Sequence, residues 1–414
     1  MTHHHDIIIL RDLVKQYVEI AHDPIQAERR TLWRQLNSLR RTRPLITVSY
    51  GTWNVWGREV FGDMRMQCSD PFYREHERWL RMQLFQYAIG DDTIQEPWIT
   101  QSAALRGEWR NVWGVREGHS AVNMNGGAWQ FDPPITEWKD IEKLRVLHHV
   151  IDEESTARNV ARIQDAVGDL LEVNVERGPV LQGFMADIST SLAGLRGLEQ
   201  VMLDMYESPE ELHSLLGFMR DGILMNQQEA EDAGDFRLTT QSNQAMPYAE
   251  ELECPRANSG SRKRSALWCI CAAQEYTLVS PAMHDEFMLQ YQLPILRHFG
   301  LVAYGCCENL TRKIDMLRQI PNLRIIAVTP TADIAACAAQ IQTDYVFSWR
   351  PNPTDMVCYG FDECKIREII RTGMEESKGC HVTIHLKDVE TVQGEPERLA
   401  KWTKIVREIT DNYA

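Results

Sequence analysis

The sequence predicts an α/β protein, a (β/α)8 TIM barrel that carries an N-terminal helical and Trp-rich extension. Two observations predict this fold. Over the closing half of the chain, short apolar runs alternate with segments whose apolar residues recur at helical spacing, and few residues separate them. Such β-then-α units form parallel strands joined by right-handed crossovers. With the earlier apolar runs the strand count comes near eight, which favours a closed barrel over the alternative of a doubly wound open sheet.

Composition limits the classes of function. The chain has 414 residues, of which 43% are hydrophobic and 25% charged, and a formal net charge of -15. An acidic chain argues against nucleic acid or an anionic membrane as a partner. No run approaches the ~20 apolar residues of a membrane span, and no apolar signal segment opens the chain. Ten cysteines show no repeating pair pattern. We therefore expect a cytoplasmic protein with reduced thiols that acts on a small molecule.

The chain is expected to divide into an N-terminal helical extension, residues 1–43, and a barrel, residues 44–414. Apolar residues recur at helical spacing from Leu10 to Val18, and the first convincing strand comes only at residues 45–50. A helical prefix before the first strand is typical of a lid or of an oligomer contact. A homodimer is the corresponding expectation for the assembly.

A Trp-rich insertion occupies about residues 50–135 and contains one clear helix, at about residues 70–87. Its tryptophans have two interpretations. They are either core and interface packing, or the lining of an aromatic pocket for a flat or methylated ligand. Trp53, which follows the first predicted strand, is the candidate for substrate binding. The six tryptophans of this region are Trp53, Trp56, Trp98, Trp109, Trp113 and Trp129.

The remaining elements follow in order. Ser208-Pro209 and Ser280-Pro281 each combine an N-cap residue with a proline at the first helical position. Strands are predicted at residues 180–184, 236–240, 266–268, 301–306, 323–328, 345–349 and 381–386. Helices are predicted at residues 155–174, 192–206, from 208 onward, and at 280–299, 310–320, 332–341, 363–374 and 396–410.

The most informative stretch is residues 301–309, an apolar run that ends in Cys306, Cys307 and Glu308. In a barrel, function belongs at the C-terminal ends of the strands. Thiolates with a carboxylate or imidazole suit zinc, so Cys306, Cys307 and Glu275 are candidate ligands. The alternative is two buried free thiols beside a helix-capping Glu308. Adjacent residues on an extended backbone point in opposite directions, so only one thiol should face the site unless the chain turns.

Other strand ends supply acid, base and binding candidates. Arg350 is expected to clamp a carboxylate; a surface cation is the alternative. His385 is either an acid-base group or a core histidine. The candidate catalytic residues are Glu308, Asp187, His385 and Lys387, and the candidate substrate-binding residues are Trp53, Asn243, Trp349 and Arg350. A Gly-rich phosphate loop, a Gly-x-Ser-x-Gly elbow and a Cys-x-x-Cys pair are absent, which disfavours hydrolases of the elbow type and nucleotide-phosphate enzymes.

Roughly residues 140–414 resemble the uroporphyrinogen decarboxylase superfamily, in its branch of decarboxylase-like proteins and corrinoid-dependent methyltransferases. The resemblance implies a (β/α)8 barrel. True uroporphyrinogen decarboxylases carry an Arg-Gln-Ala-Gly-Arg motif near the amino terminus, which nothing here matches, so haem synthesis is not expected. The carrying residues are Ser280-Pro281-Ala282-Met283, Phe299-Gly300-Leu301-Val302, Tyr304-Gly305-Cys306-Cys307-Glu308-Asn309, Ile320-Pro321-Asn322-Leu323-Arg324, Pro330-Thr331-Ala332-Asp333, Arg350-Pro351-Asn352-Pro353 and Lys387-Asp388-Val389.

The methyltransferase branch binds zinc through a His-x-Cys at a strand end and a distant Cys. Cys307 takes the position of that Cys, and Gly305 stands where the family has His. Cys358 is the candidate for the distant thiolate, and Cys306, Glu275 or His385 would have to replace the missing ligand. The cofactors implied by the resemblance are therefore zinc and a corrinoid carried by a partner protein.

Three functions compete at this point. The first is a zinc-dependent methyltransferase that moves methyl between a small methylated compound, such as a methoxyaromatic, or an acceptor, and a corrinoid protein. The second is a metal-free decarboxylase-like lyase that uses Arg350, Lys387 and Asp187 on a small carboxylated substrate. The third is a non-catalytic corrinoid- or substrate-binding protein.

Overall fold

A computed structural model describes residues 2–48, 59–106, 113–116, 118–121, 129–179, 186–238 and 245–413. Its centre is a six-stranded parallel sheet with the order β1-β10-β9-β8-β7-β6. The strands of this sheet are β1 (Leu45–Val48), β6 (Trp268–Cys271), β7 (Leu301–Tyr304), β8 (Leu323–Val328), β9 (Val346–Trp349) and β10 (His381–Leu386). Two further pairs are parallel β2 (Trp98–Ser102) with β5 (Glu172–Glu176), and antiparallel β3 (Gly118–Ala121) with β4 (Trp129–Asp132).

Helices surround the sheet, and short 3-10 or π turns join several of them. The segment Pro281–Leu296 is continuous but changes to a π turn over Asp285–Leu289. The helices are α1 (Thr2–Ala21), α2 (Ile25–Asn37), α3 (Pro71–Ile89), α4 (Glu153–Val167), α5 (Ser189–Arg196), α6 (Leu198–Glu207), α7 (Pro209–Asp232), α8 (Pro281–His284), α9 (Gln290–Leu296), α10 (Ile314–Leu317), α11 (Ile334–Ile341), α12 (Glu363–Glu376) and α13 (Glu397–Thr410). None of the helices in these described ranges is long and apolar enough to cross a membrane.

The strand order is that of a half-barrel. The first strand lies beside the last, and the order then runs one way without the reversal of a doubly wound sheet. Six of the eight predicted strands are therefore confirmed, and the closed barrel is not. Predicted strand 180–184 lies outside the described residues, and residues 236–238, the described part of predicted strand 236–240, form no strand.

The alternation of side chains along a strand assigns the two faces of this sheet. Trp349 of β9 lies against Gly373 of α12, so this side of β9 faces the helices. Ser348 and the following Arg350 therefore point to the opposite, inner face. The same alternation puts Thr383 and His385 of β10 on the inner face, since Thr383 is the partner of Ser348 in the register. All of these residues are buried.

The predicted helical extension is present as α1 and α2. Tyr17 of α1 packs in a separate core with Leu80 of α3 and Ile163 of α4. Trp33 of α2 donates its ring N–H to the carbonyl of Asp92 at 2.7 Å and packs with the first residues of the central strands. The extension thus covers the amino-terminal end of the sheet, opposite to the end where chemistry was predicted. The division into two domains at residue 43 stays a prediction.

Local periodicity failed where a distant partner decides the structure. Predicted helix 155–174 ends at Val167, and residues 172–176 instead form β5, whose register pairs Trp98 with Glu172. β-branched Val173 and Val175 suit a strand, and the partner strand lies about 70 residues upstream, beyond the reach of a helical window. Predicted helix 192–206 is two helices, because Gly197 adopts a φ of 88° between them.

Gly373 should be intolerant of any side chain, because Trp349 fills the space beside it. A Cβ at this position would lie 2.6 and 2.7 Å from Cζ2 and Cζ3 of that rigid ring. We expect Gly373→Ala to lower the free energy of unfolding by roughly 1–3 kcal/mol, measured by urea denaturation. Gly217 of α7 is the matched control, since the nearest atom to its Cβ would be Nη2 of Arg220 at 4.0 Å. Gly217→Ala should stabilise by about 0.5–1 kcal/mol, and equal effects of both substitutions would contradict the packing argument.

Candidate functional site

The two adjacent cysteines lie beyond the C-terminal end of β7, and their sulfurs face each other. Cys306 Sγ and Cys307 Sγ are 3.6 Å apart, with Cys306 buried and Cys307 exposed. The sequence allowed both thiols to face the site only if the chain turns, and it does turn here, because the strand ends at Tyr304 and Gly305 adopts a φ of 104°.

Gly305 leaves no room for a side chain. A Cβ here would lie 2.7 Å from Cβ of Ala327 and 2.8 Å from Cδ1 of Leu310. Its own N–H donates to the carbonyl of Cys271 at 2.8 Å, which holds the turn against β6. A histidine ligand at this position, as in the family that the sequence resembles, does not fit this backbone.

Lys387, just past the end of β10, brings its ammonium group to both sulfurs. Lys387 Nζ lies 3.3 Å from Cys306 Sγ and 3.4 Å from Cys307 Sγ, and it forms an ion pair of 3.0 Å with Asp388 Oδ2. Only 4% of this lysine side chain is exposed. Asp388 adopts a φ of 54°, which an aspartate tolerates better than most residues. The ammonium group thus occupies the space between the thiols and a carboxylate.

These contacts shift the pKa values of the two cysteines in opposite directions. The hydrogen bond from Cys306 and the charge of Lys387 lower the pKa of Cys307 to about 7, against burial and against Asp388, whose Oδ2 lies 3.8 Å from Cys307 Sγ. The same hydrogen bond, together with burial, raises the pKa of Cys306. Burial and the charge of Arg350 oppose the charge on Lys387, but the two cysteines and Asp388 outweigh them and raise the pKa of Lys387. The arrangement therefore favours an exposed thiolate at Cys307, a buried thiol donor at Cys306 and a charged Lys387, which is the environment of a reactive cysteine.

Glu308 is fully buried and holds two backbone N–H groups. Its Oε1 accepts from the N–H of Ala273 at 2.8 Å, and its Oε2 accepts from the N–H of Cys306 at 2.8 Å. The carboxylate therefore joins the loop after β6 to the loop after β7. Burial lowers the pKa of nearby Lys313 to about 8, against the attraction of Glu308. This placement favours a positioning role for Glu308, whose predicted catalytic role stays a prediction.

Arg350 secures the same turn from the inner face of the sheet. Its Nη1 donates to the carbonyl of Cys306, and its Nη2 lies 3.5 Å from the carbonyl of Gly305. The side chain is buried, and burial lowers the pKa of Arg350 below its usual range. The Cys306 backbone is thus held from one side by Glu308 and from the other by Arg350.

The structure does not bring every predicted residue to the thiol pair. Trp349 points away from it, into the packing against α12. Cys358 is buried in the turn Thr354–Cys358, whose last carbonyl accepts from Nη1 of Arg398 at 3.2 Å. His385 is buried on the inner face, and burial holds its pKa well below the usual range. Trp53 and Asn243 lie outside the described residues.

A second cluster forms where predicted Asp187 and Glu275 meet. Ser189 Oγ lies 2.8 Å from Asp187 Oδ1 and 2.6 Å from Glu275 Oε2. Thr190 Oγ1 lies 2.8 Å from Asp187 Oδ2 and 3.0 Å from Glu275 Oε1. Two hydroxyl hydrogens cannot fill four short oxygen contacts, so this geometry favours a proton held by the carboxyl pair. Burial and the neighbouring Glu275 raise the pKa of Asp187 to about 7.

The two clusters share one edge of the sheet. Ala273, whose N–H binds Glu308, is two residues from Glu275. The sequence did not identify Ser189 and Thr190 as members of a site, although their position two and three residues after Asp187 at the start of a helix is a recognisable signal. Asp388 was named at a strand end and among the residues that carry the resemblance, but it was given no role in the site.

The predicted zinc ligands that the structure describes are not arranged as a zinc site, and bound zinc stays a prediction. Within the ranges that the structure describes, no group of three or more His, Cys, Asp or Glu side chains is arranged to hold a metal ion. The thiol pair supplies two sulfur donors, Gly305 excludes the family's histidine, and Lys387 places a cation where a metal would lie. A structural or catalytic zinc needs three or four protein ligands.

Comparisons with known proteins give a similarity at the level of structure and none at the level of sequence. No protein-family model matches the chain, and no curated protein matches its sequence. The structure is similar to a solved structure described as a methyltransferase from Methanosarcina mazei, with a TM-score of 0.46 and 11% sequence identity over 93% of this chain and 98% of that chain. A likeness this distant assigns no activity.

Alkylation of Cys307 should report the predicted thiolate. We expect the rate of modification by iodoacetamide, followed by peptide mass spectrometry, to rise with an apparent pKa of about 7. Lys387→Met removes a favourable charge and should move this pKa upward, which slows the reaction at neutral pH by roughly tenfold. Exposed Cys364 is the internal reference, and its rate should not change in the variant. An unchanged profile at Cys307 would show that Lys387 does not stabilise the thiolate.

The carboxyl pair should make stability depend on pH. The pKa of Asp187 is raised from 3.8 to about 7 on folding, so the folded protein holds a proton that the unfolded chain releases between these values. Stability from this group therefore falls as pH rises from about 4 to 7. We expect Asp187→Asn to gain stability relative to the unsubstituted protein between pH values of about 5 and 8, in urea denaturation. Asp221→Asn, on an exposed part of α7, is the control. Parallel pH curves for Asp187→Asn and the unsubstituted protein would refute a shared proton.

Proposed function

We propose that this protein is a small-molecule methyltransferase in which Cys307 is the nucleophile. The observation that carries the proposal is the ammonium group of Lys387, which lies within 3.4 Å of both sulfurs while Cys307 stays exposed. An exposed thiolate at a strand end can attack an electrophilic carbon. The choice of methyl as the transferred group rests on the resemblance of the sequence to corrinoid-dependent methyltransferases.

The first step follows from the polarity of the pair. The Cys307 thiolate attacks the methyl carbon of a methylated oxygen, nitrogen or sulfur compound; the S–C bond forms as the bond to the leaving atom breaks. The leaving atom takes its proton from the Asp187 and Glu275 pair. Lys387 and the thiol of Cys306 hold the negative charge on Cys307 before attack.

The second step needs an acceptor stronger than a thiolate. The acceptor displaces Cys307 from the methyl group and regenerates the thiolate. The carboxyl pair regains from solvent the proton that it gave to the leaving atom, so the cycle conserves charge and atoms. A corrinoid on a partner protein, as the sequence resemblance implies, supplies a nucleophile of this strength. No step is assigned to zinc, because the described side chains do not form its site.

A metal-free lyase is the second candidate. A carboxyl pair that holds a proton near neutral pH is suited to protonate a carbanion after loss of carbon dioxide, and buried Arg350 is suited to bind a carboxylate. The lyase does not require the thiolate. Cys307→Ser should therefore abolish a methyltransferase and leave a lyase active.

Methyl loading separates these functions directly. We expect methyl iodide, used as the probe, to label Cys307 faster than Cys364, and reduced cobalamin then to remove the methyl group from Cys307 only. Peptide mass spectrometry measures both steps, and cobalamin absorbance follows the second. Lys387→Met should slow the loading by roughly tenfold.

Two outcomes would refute the proposal. One is a methyl group on Cys307 that reduced cobalamin does not remove faster than one on Cys364. The other is stoichiometric zinc in the purified protein that Cys307→Ser abolishes, since a metal thiolate would then replace the thiolate–ammonium pair. Cys254→Ser is the control for metal content, because this thiol lies at the opposite, amino-terminal end of the sheet.

A further inference from the structure

The inner face of the sheet below the thiol pair is unusually polar. Barrel interiors are mostly filled by branched apolar side chains. Here Ser348 and Thr383 are register partners on neighbouring strands, and Arg350 follows Ser348 by two residues on the same face. All three side chains are at most 1% exposed.

Two of these groups are hydroxyls without a hydrogen bond. Neither Ser348 Oγ nor Thr383 Oγ1 has a partner among the residues that the structure describes. Burial of a hydroxyl without a hydrogen bond lowers the stability of the protein, unless a ligand or a water molecule forms that hydrogen bond. An apolar pair, such as alanine and valine, would fill the same volume without this cost.

The third group is the guanidinium of Arg350, which forms no ion pair within the described residues, although the charges of nearby thiol and carboxyl groups act on it. Within the described parts of the chain, the nearby carboxylates are already engaged, since Glu308 accepts two backbone N–H groups and Asp388 pairs with Lys387 at 3.0 Å. Arg350 donates to two carbonyls, which are neutral, and its Nε–H has no acceptor there. A buried charge without a partner destabilises a protein strongly. An anion that pairs with the guanidinium of Arg350 would remove this cost, so the position is suited to bind an anion.

We propose that the inner face binds a small carboxylate, which accepts from Nε–H of Arg350 and from the hydroxyls of Ser348 and Thr383. All of these groups are donors in this role, and the two oxygens of a carboxylate supply only acceptor sites. One carboxylate suffices for three donors, so the ligand is a monocarboxylate of few atoms or the carboxylate end of a larger molecule. This inference goes beyond the proposed methyl transfer, since it requires binding alone, and it adds Ser348 and Thr383 to the Arg350 contact that the lyase candidate uses.

Acetate is the probe, and its effect on the melting temperature is the measurement. Titrations at constant ionic strength should show saturable stabilisation by acetate and a much weaker effect of chloride and sulfate. The double variant Ser348→Ala with Thr383→Val should bind acetate about tenfold more weakly or not at all. Without acetate, it should melt at or above the temperature of the unsubstituted protein, because it loses two unsatisfied hydroxyls and keeps their shape.

The control is a buried hydroxyl that is already satisfied. Thr403 Oγ1 donates to the carbonyl of Leu399 at 3.0 Å in α13, so Thr403→Val should keep the full acetate response. If the double variant does not fold, the single variant Thr383→Val carries the test. The proposal is overturned if acetate does not stabilise the unsubstituted protein or if chloride stabilises it equally. It is also overturned if the Ser348 and Thr383 variants keep the acetate response. In each of these cases water molecules form the missing hydrogen bonds to the hydroxyls. Methyl loading of Cys307 in the same double variant separates this outcome from a failure of the proposed function, because loading should proceed unchanged.

Discussion

The carboxylate of Glu308 is the interaction on which the site depends. It is fully buried, and its two oxygens accept hydrogen bonds from the backbone N–H groups of Ala273 and Cys306. A charged acceptor of two N–H groups in a buried place is stronger than a neutral one, and loss of it would leave both donors unsatisfied. The loops after β6 and β7 are therefore fixed relative to each other. One of these loops carries Glu275 and the other carries the two cysteines.

With the turn fixed, the chemistry follows from charge and distance. Gly305 lets the chain bend sharply, and Arg350 donates to the carbonyl of Cys306 in this bend. The two sulfurs then both lie next to the ammonium group of Lys387. A vicinal pair on an extended strand would separate its thiols to opposite faces. The bend instead makes one cysteine the hydrogen-bond donor and the other the thiolate. The same backbone conformation that creates this pair leaves no space for a histidine at position 305.

The inner face of the sheet adds positive charge and hydrogen-bond donors next to the thiol pair. Arg350 and Lys387 are the cations at the ends of β9 and β10. Ser348 and Thr383 lie earlier on the same two strands and have buried hydroxyl groups. The carboxyl pair of Asp187 and Glu275 lies along the same edge and is the proton source in the proposed function. Thiolate, cations and acid are thus arranged along the ends of neighbouring strands, where loops bring together residues from distant parts of the chain.

The sequence by itself determined the class of the fold and most of the closing half. Apolar periodicity located β1 and the five strands from β6 to β10, because each is a short run of buried residues next to a helix with one apolar face. It also placed Cys306, Cys307, Lys387 and Arg350 at strand ends, since the end of an apolar run is a local property.

Only the tertiary structure decided how these ends combine. The pairing of β2 with β5, the orientation of Trp349 toward α12 and the meeting of Lys387 with two sulfurs 80 and 81 residues away all depend on contacts between distant segments. The hydroxyl bridge between Asp187 and Glu275 depends on them as well. Local periodicity records which residues are buried, but the direction of a side chain beyond the end of a strand is set by the turn and by its long-range partners.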